Sequence, residues 1–187
     1  MGLSNHEVMY IQAKDNYPFN VDECIEKLQY VIAADDEHAG AHFLMGQIYE
    51  EQLDDYKQAE YYYRMTLYLD KHYLPVYGQY ICMLINLNRL DDAYKIIEAA
   101  TKVPGMGMAY IDFLTGMLYE KYEMYNAATE YYTKAKLGGL NNYWMSNMDD
   151  ALKRIKDKKA LAKKLSKKKE AKPEKNDKNE KNEKASK

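Results

Sequence analysis

A helical pattern recurs three times along this chain, at intervals of 34 and 35 residues. In each copy a small residue is followed four positions later by a large one, and three positions beyond that by another small residue. Positions i, i+4 and i+7 lie on one face of an α-helix, so each copy predicts a helix that buries this face. The copies are Ala59, Tyr63 and Thr66, then Ala93, Ile97 and Ala100, then Ala128, Tyr132 and Ala135.

A second helical segment precedes each copy. Gly46, Ile81 and Gly116 mark these segments and are spaced 35 residues apart. Each repeat is therefore predicted to be a pair of antiparallel helices in which small residues allow close approach and large residues fill the space between pairs. One pair cannot bury its apolar face alone, so successive pairs have to stack. The fold class predicted is an all-α solenoid.

These residues resemble the tetratricopeptide repeat (TPR) family. The first unit, residues 39–71, carries Met45-Gly46 and Tyr49 in its first helix, as that family does. The second unit, about 73–105, lacks the glycine, and the third, about 108–139, has it again. The resemblance covers roughly residues 4–140 and implies a TPR-type solenoid of about three clear helix-pair repeats.

A degenerate repeat is predicted before these three. Ser4 with Glu7, and Asn20 with Glu23, have the spacing of capping boxes at two helix starts. The positions 35 residues before Ala59, Tyr63 and Thr66 are Cys24, Leu28 and Val31, and all three suit the buried face of a helix.

Four segments follow from this pattern. After Gly139 an apolar stripe continues in a helix that fits a solenoid cap, and the last residues contain no large apolar side chain. The predicted segments are residues 1–38, a degenerate N-terminal helical repeat; 39–140, three TPR-like repeats; 141–170, a capping and basic helix; and 171–187, a disordered tail rich in Lys, Glu and Asn.

The charge is divided sharply along the chain. Residues 151–187 hold 16 basic and six acidic residues, a net of +10, which leaves 11 basic and 23 acidic residues in residues 1–150, a net of −12. The basic segment has three interpretations: a solubilising tail, a weak contact with nucleic acid, ribosome or anionic membrane, or an intramolecular contact with the acidic body that competes for its binding surface.

No constellation of residues indicates catalysis, a cofactor or a metal. His38 and His42 are separated from each other by a predicted turn, and the two cysteines, Cys24 and Cys82, are expected to be reduced thiols. The run Tyr61-Tyr62-Tyr63 could stack on bases, but Tyr63 is a core position by register and the acidic body repels phosphate. We therefore predict no enzyme and no nucleic-acid binding by the body, which leaves the tail as the one segment where such binding stays open.

The chain contains no secretory signal pattern and no apolar run long enough to span a membrane, so a cytoplasmic location is expected.

The resemblance implies a binding surface as well as a fold. TPR proteins usually hold partners in a concave groove lined by the first helix of each pair. Family members that grip a C-terminal carboxylate place Lys, Asn and Arg there, and the side chains of this chain do not match that mode. The alternative for Phe43 and Phe113 is that they only pack between helices. The groove residues that the register indicates are Phe43, Gln47, Glu50, Cys82, Asn86, Tyr110, Phe113, Met117 and Glu120.

An apolar and aromatic floor with acidic edges suits a peptide or helix with large apolar anchors and basic flanks. The sequence therefore predicts a protein–protein interaction scaffold or adaptor, chaperone-like in its mode of capture, without covalent chemistry. The alternative is a nucleic-acid- or ribosome-associated factor that is tethered through its basic C-terminal helix and tail.

Overall fold

A computed structural model describes residues 3–139 and 141–170 of the chain, with side chains up to residue 167. Within these residues the secondary structure is entirely helical. The helices are α1 (Asn5–Asn16), α2 (Val21–Ala34), α3 (Ala39–Glu51), α4 (Tyr56–Leu69), α5 (Leu74–Asn86), α6 (Leu90–Ala100), α7 (Met108–Lys121), α8 (Tyr125–Leu137) and α9 (Asn142–Glu170).

The helices pack as consecutive pairs. α1 packs on α2, α3 on α4, α5 on α6 and α7 on α8, and α9 covers the exposed side of α8. We call α3, α5 and α7 the A helices and α4, α6 and α8 the B helices. Neighbouring A helices also contact one another directly, α3 with α5 and α5 with α7. The predicted TPR-type solenoid is confirmed, and the predicted tail, residues 171–187, lies outside the described residues.

Glycine and tyrosine hold the first and third pairs together at the same place. A Cβ atom on Gly46 would lie 2.6 Å from ring atoms of Tyr63, and one on Gly116 would lie 2.7 Å from the ring of Tyr132. Both tyrosines are fully buried. The absence of a side chain on the A helix therefore creates the space that the B-helix ring fills.

The second pair fills the same space in another way. Ile81 stands in the register of the two glycines and is fully buried, and Ile97 stands in the register of the two tyrosines. Two residues of intermediate size thus replace a very small and a very large one, and the space between the helices is filled from both sides.

The helix starts follow the predicted signals in part. Ser4 caps α1 and accepts a hydrogen bond from the backbone N–H of Glu7. Asn20 does not cap the backbone of α2, because its side-chain amide instead donates to the carboxylate of Glu23. The capping box predicted there is therefore replaced by a bond between the two side chains.

A left-handed residue ends the turn between the A and B helices of all three repeats. Asp54, Asn88 and Glu123 have φ values of 52°, 59° and 59°. A positive φ is unusual for residues other than glycine, and asparagine and aspartate adopt it more readily than glutamate. The three turns therefore share a left-handed residue two positions before the B helix, although their sequences differ and the first turn is one residue longer.

In the described residues no helix is both long and apolar enough to cross a bilayer.

Candidate functional site

Each A helix presents one line of side chains at helical spacing, and direct contacts between neighbouring A helices bring the lines side by side. Eight of the nine predicted groove residues keep some solvent exposure, and the ninth, Glu120, is 9% exposed. We call these nine the A-helix face: Phe43, Gln47 and Glu50 on α3, Cys82 and Asn86 on α5, and Tyr110, Phe113, Met117 and Glu120 on α7.

The phenylalanine of α3 belongs partly to the packing between repeats. The Phe43 ring lies 6.0 Å from the ring of Tyr63 and 5.2 Å from that of Tyr73, measured between centroids. Its ring is half-buried, so one side packs against the core and the other remains open. Both interpretations of Phe43, packing and binding, are compatible with this position.

The phenylalanine of α7 packs in a similar way. The Phe113 centroid lies 6.1 Å from that of Tyr132 and 5.7 Å from that of Trp144 on α9. Removing this ring would therefore loosen the contact between the third repeat and α9. A substitution at Phe113 cannot separate binding from stability.

Gly78 makes room for Tyr110 on the A-helix face. A Cβ atom at position 78 would overlap the hydroxyl oxygen of Tyr110. This glycine therefore allows the tyrosine of α7 to lie across α5 while 37% of its surface stays exposed. Tyr110 is an aromatic contact that a ligand could reach.

Cys82 lies half-buried on α5 and is a free thiol. Burial, with a smaller contribution from the charge of Glu50, raises the pKa of this thiol to about 11. The thiol is therefore protonated at neutral pH and is a poor nucleophile. Cys82 contributes surface and shape to the A-helix face rather than chemistry.

Glu120 is held by cations from α9. Its carboxylate accepts hydrogen bonds from Nε and Nη2 of Arg154, both at 2.8 Å, from Nζ of Lys158 at 2.7 Å, and from the hydroxyl of Tyr132 at 2.7 Å. Burial alone would raise the pKa of Glu120, but the bonds from Arg154, Lys158 and Tyr132 outweigh it and lower the pKa to about 2. The acidic edge predicted at Glu120 is thus already neutralised within the chain.

Glu50 has the corresponding tyrosine but a different environment. Its carboxylate accepts a hydrogen bond of 2.5 Å from the hydroxyl of Tyr63. Burial raises the pKa of Glu50, the bond from Tyr63 lowers it, and the charge of Glu51 raises it further, with a net upward shift. Among the described residues no cation lies within 4.0 Å of this carboxylate.

A second polar cluster lies away from the A-helix face, between α4, α5 and α6. Arg89 bridges Glu60 and Asp92, and Glu60 also accepts a hydrogen bond of 3.0 Å from the hydroxyl of Tyr80. These groups line an open cavity of about 430 Å³. Sequence reasoning missed the cluster because Glu60 and Arg89 are 29 residues apart and belong to different repeats.

The histidines have structural contacts. Nδ1 of His38 accepts a hydrogen bond from the backbone N–H of Ala41, which caps α3, and Nε2 of His42 lies 2.9 Å from the carbonyl oxygen of Asp36. Throughout the part of the chain that the structure describes, no group of three or more His, Cys, Asp or Glu side chains is placed to hold a metal ion.

The sequence matches no protein-family model and no curated protein. Solved structures give clear matches at low sequence identity. PilF of Pseudomonas aeruginosa is 18% identical with a TM-score of 0.68, and the match covers 81% of this chain and 69% of that one. A fragment of MamA from Desulfovibrio magneticus RS-1, running from residue 41 to its end, is 16% identical with a TM-score of 0.65, covering 89% of this chain and 94% of that one.

PilW, a type IV pilus biogenesis factor, is 14% identical with a TM-score of 0.62, and this chain spans 62% of its length. A thermophilic TPR protein of Thermus thermophilus is 17% identical with a TM-score of 0.64, covering 80% of this chain and 82% of that one. At these identities the matches show the fold: this chain has the tetratricopeptide-repeat fold.

Proposed function

We propose that this chain is a protein-interaction scaffold that binds a segment of a partner protein along the A-helix face. The observation that carries the proposal is the alignment of partly exposed apolar, aromatic and amide side chains on three neighbouring A helices of a TPR fold. Fold alone does not define a function, so the proposal depends on the side chains of this face.

The length of the face limits the segment. Packed helices lie about 8–10 Å apart, so three A helices span about 20–30 Å. An extended peptide advances about 3.3 Å per residue, and roughly six to nine residues would cross the face. The bound segment is therefore a short extended peptide or, at a pitch of about 5.4 Å, about four to six turns of a helix.

The chemistry of the face favours a particular kind of segment. Tyr110 and Met117 offer apolar surface, Gln47 and Asn86 offer amides for backbone hydrogen bonds, and Glu50 offers a carboxylate. The body carries a net charge of −12 over residues 1–150. These features suit a partner with large apolar anchors and basic flanks.

One observation supports the alternative, a nucleic-acid- or ribosome-associated factor. Every residue from 160 to 167 on α9 is exposed, and Lys163, Lys164 and Lys167 lie in this stretch. A projecting basic helix can neutralise phosphates without using the A-helix face, and such binding would fall steeply with salt.

The test compares affinity capture by the full chain and by three folded variants. Gln47→Arg/Asn86→Arg adds bulk and two positive charges to the A-helix face, and Gln29→Arg, the control, adds one arginine at an exposed position of α2. Lys163→Gln/Lys164→Gln/Lys167→Gln removes the exposed charge of α9. Circular dichroism checks that each variant is folded.

A partner that wild type, the Gln29→Arg control and the α9 variant capture, and that the Gln47→Arg/Asn86→Arg variant loses, would support the proposal. Overlapping peptides of that partner would then locate the bound segment. Nucleic acid or ribosomal material that is lost only with the three lysines would support the alternative and count against the A-helix face.

A further inference from the structure

Two repeats of this chain contain the same pair of residues, a glutamate whose carboxylate is held by the hydroxyl of a buried tyrosine; we call this carboxylate the acceptor of the repeat. Glu50 and Glu120 are 70 residues apart, each lies in the last turn of its A helix, and each accepts a hydrogen bond from a buried tyrosine of the following B helix. Those tyrosines, Tyr63 and Tyr132, are held over Gly46 and Gly116 by the packing of the two helices. The position of the carboxylate is therefore fixed by the core of each repeat.

The fold itself does not require this acceptor. In the second repeat Ile85 stands in the register of the two glutamates and is buried, and Ile97 stands in the register of the two tyrosines. An apolar pair is thus sufficient to fill the position. The Glu–Tyr pair in the other two repeats needs an explanation beyond packing.

The third repeat shows what the acceptor binds. Arg154 and Lys158 are four residues apart on α9, so they project from one face of that helix onto the carboxylate of Glu120. Arg154 donates two hydrogen bonds, the fork geometry that matches guanidinium to carboxylate. A basic side chain, and arginine above all, is the ligand of this acceptor within the chain.

Among the described residues, the acceptor of the first repeat lacks that ligand. Glu50 is half-buried and hydrogen-bonded to Tyr63, and its described surroundings contain a second carboxylate, Glu51, rather than a cation. Glu51 accepts hydrogen bonds from Tyr17 and from the side-chain amide of Gln79. A half-buried carboxylate beside another negative charge is unfavourable until a cation joins it.

We propose that Glu50 and Tyr63 form a binding position for one arginine side chain of the bound partner, which occupies it as Arg154 occupies Glu120. The proposal rests on the A-helix face being the binding surface, and it identifies the basic flank of the partner with a specific carboxylate. Lysine is accepted less well, because an ammonium group cannot form the paired hydrogen bonds of a guanidinium.

The position can be tested without knowing the partner. The probe is N-acetyl-L-arginine amide, titrated into the full chain labelled with ¹³C at the glutamate side-chain carboxyls and followed by NMR. The internal reference is Glu26, an exposed carboxylate of α2. The Glu50 resonance is expected to shift saturably, at a probe concentration at least about fivefold lower than any shift of Glu26.

The occupied acceptor provides the matched control. In wild type, Glu120 should not respond to the probe, because Arg154 and Lys158 already bind it. In the Arg154→Gln/Lys158→Gln variant, Glu120 should respond as Glu50 does. N-acetyl-L-norvaline amide, which lacks the guanidinium, should shift neither resonance.

A Glu50 response no stronger than that of Glu26 would overturn the proposal. Because this measurement involves no partner, it is independent of the capture experiment. A silent Glu50 together with loss of capture by Gln47→Arg/Asn86→Arg would reject the arginine position and leave the A-helix face in place. A responsive Glu50 without such a loss would show that this carboxylate binds a guanidinium group, but it would reject the A-helix face and with it the partner's arginine as the occupant.

Discussion

The first and third repeats are built alike, and the second differs from both at the same three positions. Where the outer repeats have glycine, glutamate and tyrosine, the middle repeat has isoleucine at each position. The three sets are Gly46, Glu50 and Tyr63, then Ile81, Ile85 and Ile97, then Gly116, Glu120 and Tyr132.

The comparison shows that these positions change together. The glycine makes room for the ring, and the ring's hydroxyl holds the carboxylate, so each member depends on the one before it. Replacing one member alone leaves either a clash, a cavity or an unbonded polar group. In these three repeats the set is therefore glycine, glutamate and tyrosine together or isoleucine at all three positions.

The largest expected effect comes from mixing the two types. Gly46→Ile places a branched side chain where even a Cβ atom lies 2.6 Å from the Tyr63 ring, and we expect a loss of about 3 kcal/mol or more in the free energy of unfolding. Gly46→Ile/Glu50→Ile/Tyr63→Ile installs the whole middle-repeat set and should recover at least half of that loss. Urea unfolding followed by circular dichroism measures both.

The control is Gly107→Ser, since a Cβ atom there meets no atom within 4 Å and serine, like glycine, is accepted at the N-cap of α7. It should change the free energy of unfolding by less than about 0.5 kcal/mol. A triple variant no more stable than Gly46→Ile would show that the three positions do not act as a set.

The second effect is a difference in pH dependence: Glu120 and Glu50 should contribute to the free energy of unfolding with opposite signs. The folded-state pKa of Glu120, about 2, lies below the ordinary value, so its ionised form stabilises the fold above the unfolded-state pKa of about 4.3. That stabilisation is lost as pH falls through 2. Glu120→Gln should therefore cost about 2–3 kcal/mol at pH 7, and the difference from wild type should shrink as pH is lowered from about 5 to about 3.

Glu50 should behave in the opposite sense. Burial raises the pKa of its carboxyl, so the ionised form opposes folding at neutral pH, and this effect disappears below the ordinary pKa. Glu50→Gln should stabilise the free chain slightly at pH 7 and lose this advantage at about pH 4. Equal destabilisation by the two substitutions at pH 7 would contradict the contrast between a bound and an unbound acceptor.

A smaller effect is expected when the cations of the third repeat are removed. Arg154→Gln/Lys158→Gln leaves Glu120 without these two cations, and both side chains are close to half exposed, which reduces the expected loss to about 2 kcal/mol. The control Lys163→Gln/Lys167→Gln removes two exposed lysines of the same helix and should stay within about 0.5 kcal/mol. Equal losses in the two variants, measured by urea unfolding, would mean that the net charge of α9 matters rather than the specific contacts.

The repeat period predicts the buried positions well because burial depends first on which face of its helix a residue occupies. Spacing alone places Ala59, Tyr63 and Thr66 on the buried face, and all three are fully buried. The same register indicates the residues of the A-helix face, whose role in binding stays a prediction. Helical periodicity identifies which side of a helix a residue occupies, and this is enough to predict whether the residue is buried or lies on the A-helix face.

Contacts between repeats could not be predicted in the same way. Arg154 and Glu120 are 34 residues apart, and the contact depends on how α9 is placed against the third repeat. Sequence reasoning described Glu120 as an acidic edge of the groove, since nothing in its neighbourhood along the chain indicates a cation. The Tyr63–Glu50 and Tyr132–Glu120 pairs offered a signal, because both have the same spacing to within one residue.

The A–B turns were also missed, although the register contained the signal. Asp54 and Asn88 are residue types that tolerate a left-handed conformation, and Glu123 stands 35 residues after Asn88. A glutamate does not indicate a left-handed turn residue by its type, but Glu123 is indicated by its position, which is equivalent to that of Asn88 in the preceding repeat.

The smallest predicted effect uses this difference between the turns. Glu123→Gly should raise the free energy of unfolding by about 0.5–1 kcal/mol, because glycine adopts a φ of 59° without the steric cost that glutamate meets. Asn88→Gly has the same φ but starts from a residue that tolerates it, so it should gain only a few tenths of a kcal/mol. The gain from Glu123→Gly is reduced by about 0.3 kcal/mol, because the substitution also removes a negative charge near the N-terminus of α8.

The control is Glu123→Gln, which removes that charge but keeps a side chain of similar size. The difference in the free energy of unfolding between Glu123→Gly and Glu123→Gln therefore gives the backbone contribution. A larger gain at Asn88 than at Glu123 would mean that the turn of the third repeat relaxes its backbone in solution and that the three turns are not equivalent.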